Sequence, residues 1–274
     1  MCPHCRAFIT TRDRVCPYCH EKVGPRAIDL RNPGAILGGL IPHAGFTTAM
    51  ILLVNFGIYA ATVVYSMGAG NPSALTDIEG MTLYRFGAKY RPGILQGGEW
   101  WRLVTAGFLH GGILHILMNT WALFDLGAQV EELYGASRMI VFYFLSTVGG
   151  FLASTWWSNA LSVGASAGLF GLIGVMIAVG VKSQTLLGRA IRGMYVRWAV
   201  YGMLFCLLPG LRVDNAAHLG GLAAGFGCAM LSGAPRRAGG EELFWRSAAG
   251  VCLALTAYCF FRMYLSFSSA VTLR

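Results

Sequence analysis

Three polar clusters interrupt an otherwise apolar sequence, and they hold the residue types that acyl transfer requires. His115 and Asn119 are four residues apart, so on a helix they project from one face. Ser166 follows Gly164 and Ala165. Asp214 and Asn215 precede His218, which is followed at three and seven residues by Gly221 and Gly225. A serine hydroxyl becomes a nucleophile when a neutral histidine takes its proton. The oxyanion that forms then needs preorganised donors, a role open to His115 and Asn119 on a third helix. Ser166 taken alone has a plainer reading as a helix-packing residue. Asp214 has two readings, as the third member of a triad or as the N-cap of the helix that carries His218. His110 suits the mouth of a cavity and a structural place in a loop equally well.

A second constellation stands at the start of the chain. Cys2-Pro-His-Cys5 and Cys16-Pro-Tyr-Cys19 repeat one pattern. Each Cys-x-x-Cys knuckle puts two thiolates on a tight turn, and Cys2, Cys5, Cys16 and Cys19 together complete a tetrahedral structural zinc site with no open position. His4 and His20 are alternative ligands, and a disulfide pair is the alternative chemistry. The expected cytoplasmic face of this end argues against the disulfide. So small a module cannot bury a core, and its folding is expected to depend on the metal.

The elements that must position these residues are membrane spans. Hydrophobic residues make up 55% of the 274 and charged residues 12%, about half the usual charged share. Such a chain is neither an ordinary soluble enzyme nor a nucleic-acid binder held by phosphate contacts. Its 37 glycines suit helices whose backbones meet across small residues. Apolar stretches of bilayer length run from Phe46 to Met67, Gly112 to Val130, Met139 to Trp157, Leu161 to Val181, Trp198 to Leu211, Asn215 to Leu231 and Leu243 to Phe267. The fifth is short unless it begins near Met194. Fourteen of the 21 Lys and Arg then fall on the side of the N-terminus and seven on the other, which predicts the N-terminus inside and the C-terminus outside. The stretch from Gly68 to Gly111 is expected outside, partly embedded through Trp100 and Trp101.

With that topology the second, fourth and sixth spans run from outside to inside, and each carries its polar residues near its start. Polar side chains inside a membrane face a bundle interior or a wet cavity, so one shared cavity accounts for all three clusters. Gly221 and Gly225 let the sixth span approach a neighbour closely beside His218. Ala167, Gly171 and Gly174 give the fourth a matching seam beside Ser166, and contact between the seams would bring the two side chains together.

These residues resemble the rhomboid family of intramembrane serine proteases from Phe46 to about Leu231. The matching run is Glu99-Trp100-Trp101-Arg102, His110, His115-Ile116-Leu117-Met118-Asn119, Glu131 with Gly135, Gly164-Ala165-Ser166, then Asp214-Asn215-Ala216-Ala217-His218-Leu219-Gly220-Gly221 and Gly225. The resemblance implies an all-α core of six transmembrane helices. It implies Ser166 as nucleophile, His218 as base, and His115, Asn119 and the Ser166 backbone N–H around the oxyanion, without a catalytic cofactor. The seventh span looks like the C-terminal addition found in part of the family. Two departures stand out: Ala167 where the family often has glycine, and Phe170 where many relatives have tyrosine.

The expected organisation is a zinc-ribbon-like module at 1–23, a linker at 24–43, the protease core at 44–232, and a loop with the extra helix at 233–274. The expected activity is endoproteolysis of transmembrane segments in single-pass or other membrane proteins. Membrane lipid surrounds the core, no nucleic acid is involved, and the zinc module is a place for a further partner. A non-catalytic binder of membrane helices and a solute transporter are the competing classes. The first would have lost the serine or histidine, and the second would show an inverted repeat with polar residues at mid-bilayer. A bacterial inner or plasma membrane is the expected location, since the Cys-rich start is not a transit or signal sequence.

Overall fold

The computed structural model describes residue 5, residues 15–21, 45–206, 213–232 and 241–272, with side chains to 268. The chain divides into two units, Met1–Pro42 and His43–Arg274. In the second, α1 (Phe46–Gly68) is followed by three short helices, α2 (Gly80–Arg85), α3 (Arg91–Leu95) and α4 (Arg102–Thr105), the last continuing as a 3-10 turn, Ala106–Phe108. Six longer helices complete it: α5 (Ile113–Tyr134), α6 (Ala136–Trp157), α7 (Ser166–Lys182), α8 (Leu186–Phe205), α9 (Asn215–Leu231) and α10 (Glu241–Thr272).

Among the described residues, three helices are long and apolar enough to cross a bilayer unaided: Phe46–Gly68, Ala136–Trp157 and Glu241–Ser268. The pair Arg102–Phe108 and Ile113–Tyr134, bent by 92°, makes a fourth when taken as one span. The seven expected spans each coincide with a helix of 17 residues or more, with two differences in extent. The fourth begins at Ser166 rather than Leu161 because 158–165 is non-helical and tied to other segments. The fifth runs from Leu186 to Phe205, earlier than the hydropathy suggested. It carries Arg189, Arg192 and Arg197 on exposed positions, which hide an apolar helix from a hydropathy reading, and the Thr185 hydroxyl starts it by accepting from Gly188 N–H at 3.1 Å.

The segment between α1 and α5 was expected to rest on the membrane through both tryptophans. Only Trp100 is exposed, at 50%; Trp101 is 6% exposed, with the Arg102 guanidinium 4.5 Å from its ring centre. Arg102 opens α4. It is buried, paired with Glu99 at 2.7 Å, and donates to the Tyr84 and Ala88 carbonyls. Glu131 closes the opposite end of the bundle. Its carboxylate accepts from the Thr47 and Thr48 N–H groups and the Thr48 hydroxyl, all at 3.0 Å, at the positive end of α1.

Centrally placed α7 has an almost wholly apolar sequence and is buried along most of its length. It meets α9 backbone to backbone. A methyl group on Gly221 would collide with the Ala167 carbonyl, and one on Gly225 with the Gly171 carbonyl. The Ala167 methyl points to α6, where Gly150 makes room: a Cβ there would stand 2.8 Å away.

Gly225→Ala is therefore expected to force α7 and α9 apart and cost about 1–3 kcal/mol, as overpacking does. Gly227→Ala, where an added methyl meets nothing within 4 Å, should be silent. Thermal unfolding of the two purified variants checks the pair; equal stabilities would refute the close seam.

Candidate active site

Ser166 opens α7, so its backbone N–H lies in the first turn, where helix donors lack intrahelical partners. His218 lies one turn into α9, whose start is held by Asp214: one carboxylate oxygen accepts from Ala217 N–H at 3.0 Å. The other accepts from the Ser154 hydroxyl of α6. Because the glycine seam draws α7 and α9 together at this level, His218 Nε2 lies 2.8 Å from Ser166 Oγ. A hydroxyl at that distance can pass its proton to the imidazole.

The His218 ring is fixed by two further contacts. Phe170, one turn along α7 from Ser166, stacks on it with ring centres 4.2 Å apart and planes within 10°. On the far side, Nδ1 faces the Cys206 thiol at 3.7 Å. No carboxylate occupies that side among the described residues, since Asp214 is engaged with α6 and its own helix. Cys206 is a site residue that sequence reasoning missed: it lies at the end of α8, and no spacing connects it to His218.

His115 faces the same point from α5. The space beside Gly164 is bounded by its Nε2 and by Ser166 Oγ: a Cβ on Gly164 would stand 2.7 Å from the one and 3.5 Å from the other. Gly164 has φ +132°, a conformation side chains disfavour, and its N–H donates to the Ala106 carbonyl at 2.9 Å. His115 Nδ1 accepts from Gly111 N–H at 3.4 Å, leaving Nε2 for the site. Asn119 is buried one turn along α5 and uses its amide to donate to the His115 carbonyl at 2.9 Å. The His110 ring is buried edge-on to His115, with centres 5.1 Å apart.

The loop from α6 to α7, also beyond the reach of sequence reasoning, shapes this space. Ser162 and Lys89 exchange two main-chain hydrogen bonds, at 2.9 and 3.1 Å. The Lys89 ammonium donates to the Ser158 and Ala160 carbonyls at 2.7 and 3.1 Å. The residues are 69 and 71 positions apart, so no local pattern announces the contact.

In the N-terminal unit, the Cys5, Cys16 and Cys19 sulfurs lie within 4.8 Å of one another. Cys5 and Cys16 are 3.6 Å apart, and the His20 N–H closes a turn on the Cys16 carbonyl at 2.9 Å. Sulfurs on a tetrahedral zinc at about 2.3 Å stand about 3.8 Å from one another, so the three thiols fit that ion. Cys2 lies outside the described residues.

Comparison with known proteins places this arrangement. A Rhomboid domain is matched over residues 97–234. The chain is 37% identical over 155 residues to Rhomboid protease GluP of Bacillus subtilis (strain 168), covering 57% of this chain and 30% of that protein. It is 35% identical over 249 residues to Rhomboid-like protease 1 of Toxoplasma gondii, covering 88% and 82%. It is 35% identical over 148 residues to RHOMBOID-like protein 6, mitochondrial, of Arabidopsis thaliana, covering 53% and 48%. It thus spans less than half the length of two of these relatives and most of the third. A domain match over half the chain and the long alignment with the Toxoplasma protein identify it: this integral membrane protein belongs to the rhomboid family.

Proposed function

We propose that the chain is a serine endopeptidase that hydrolyses peptide bonds in or near the transmembrane segments of other membrane proteins, with Ser166 as nucleophile and His218 as general base. The observation that carries this reading is the 2.8 Å approach of Ser166 Oγ to His218 Nε2 across two helices. In this mechanism Ser166 Oγ attacks the scissile carbonyl while Nε2 takes its proton. The oxyanion develops beside Gly164, in the space bounded by His115 Nε2 and Ser166 Oγ, with His115 Nε2–H and the Ser166 N–H as its donors and Asn119 holding His115. Proton return from Nε2 to the leaving amine gives the acyl-enzyme. Water activated by the same nitrogen then releases the second product. All of these steps use side chains and main chain of the protein itself.

Seven spans with the N-terminus inside would put the site near the outer surface, where water can enter. The substrate helix must unwind there, because a regular helix holds its carbonyls in its own hydrogen bonds. The division into a metal-binding module at 1–23, a linker at 24–43, a core at 44–232 and an added helix at 233–274 belongs to the same reading. In the module, Cys5, Cys16 and Cys19, with Cys2 as fourth ligand, would hold a structural Zn2+ and present a surface to a partner.

Ser166→Ala and His218→Ala should each abolish cleavage of a co-expressed transmembrane substrate, and the double variant should be little worse than either, since the pair works as a unit. A serine-directed phosphonate should label wild type but not Ser166→Ala; proteolysis by Ser166→Ala would overturn the assignment.

His115→Ala should lower kcat about 10²–10³-fold, the cost of one oxyanion donor, with KM little changed. Asn119→Ala, acting through His115, should lose less. A His115→Ala defect confined to KM would make this residue a substrate contact instead.

Full-length protein purified under reducing, chelator-free conditions should carry about one zinc per chain, lost in Cys16→Ser. Protein without zinc under those conditions would refute the metal site.

A further inference from the structure

Lys89 is 0% exposed, and among the described residues it makes no ion pair. Burying an ammonium is costly unless its donors are met. Burial pulls its pKa below the ordinary 10.5, Asp214 opposes that shift, and Arg91 adds to it. A residue that only filled space here would be cheaper as methionine, so the charge needs a task. Its two acceptors are the carbonyl of Ser158, the C-cap of α6, where a cation is favoured, and that of Ala160, two residues on in the loop. From that point the chain runs to Ser162, paired again with the Lys89 main chain, then to Gly164 and Ser166. The other arm of the site starts from the same turn of α6, where the Ser154 hydroxyl holds Asp214 at the head of the His218 helix.

We infer that Lys89 is a positioning residue for the hydrolysis: its ammonium, gripping the end of α6, fixes the loop that presents Gly164 and Ser166 to His115 and His218. This rests on the Ser166–His218 reading given above. The ammonium acts through the loop and touches none of the reacting atoms. The charged groups facing it are Asp214, from the start of α9, and Arg91, from α3. The direction follows from its lowered pKa: the ammonium is lost at a pH below 10.5.

The test compares wild type, Lys89→Met and Lys89→Gln in detergent, by thermal unfolding, phosphonate labelling of Ser166, and kcat and KM on a transmembrane substrate across neutral to alkaline pH. Lys89→Met should label and turn over about 10²-fold more slowly, the loss that a misplacement near 1 Å brings, with KM almost unchanged. Wild-type turnover should fall on the alkaline side. Lys89→Gln keeps two donors and does not titrate, so that limb should be absent from its profile. A folded Lys89→Met that labels at the wild-type rate would overturn the inference, as would the same alkaline limb in Lys89→Gln. If Lys89→Met does not fold, the Lys89→Gln profile decides alone. Failure of wild type itself to label would strike the Ser166–His218 assignment and not Lys89.

Discussion

Everything at the site depends on main-chain contact between α7 and α9. Packed helices ordinarily keep their axes about 8–10 Å apart, and neither a serine nor a histidine side chain is long. Gly221 and Gly225 remove the side chains that would hold α9 off the α7 carbonyls. The Gly221 contact falls on Ala167, next to Ser166, and three residues from His218. The closest approach of the helices and the 2.8 Å hydrogen bond therefore share one level of the bundle. Ala167, where the family often has glycine, is accommodated because its methyl turns to Gly150 on α6 rather than to α9.

Helix α6 is the frame to which both arms are fixed. Its last turn holds Asp214 through Ser154, and the carbonyls of Ser158, its C-cap, and Ala160, just past it, hold the ammonium of Lys89. The intervening loop is non-helical, which is why α7 has only 17 residues, about 25 Å of helix. That is less than the roughly 30 Å hydrocarbon thickness of a bilayer. A helix shorter than the membrane, buried among its neighbours, places its first residue below the surface without exposing unpaired backbone to lipid.

The parts of this arrangement that were legible in the sequence obey a short period. His115 and Asn119 at four residues, and His218, Gly221 and Gly225 at three and seven, announce a shared helix face whatever surrounds them. The limits of α9, Asn215–Leu231, matched the expected stretch because Asp214 marks its start and apolar residues fill the rest. Where reading failed, contacts between distant segments decided the outcome. Leu161 to Ala165 is apolar enough to be helix, yet Lys89 and Ala106 claim its backbone groups. Arg189, Arg192 and Arg197 concealed the start of α8. Trp101 looked like a membrane anchor until Arg102 and the short helices covered it.

The surroundings of His218 explain how a histidine can be oriented without a carboxylate. For Nε2 to accept a proton from Ser166, the neutral ring must carry its hydrogen on Nδ1, and the atom facing Nδ1 is the Cys206 sulfur at 3.7 Å, a weak acceptor. Asp214 cannot take that place, because its oxygens are committed to the Ala217 N–H and the Ser154 hydroxyl. Orientation then falls to packing: Phe170 lies flat on one face of the ring, and the seam beside Gly221 limits movement of the helix beneath it. Burying a carboxylate against Nδ1 would add a charge needing its own partners in a low-dielectric bundle. A phenyl ring makes no such demand, so in this setting the two-residue arrangement is cheaper to build than a triad.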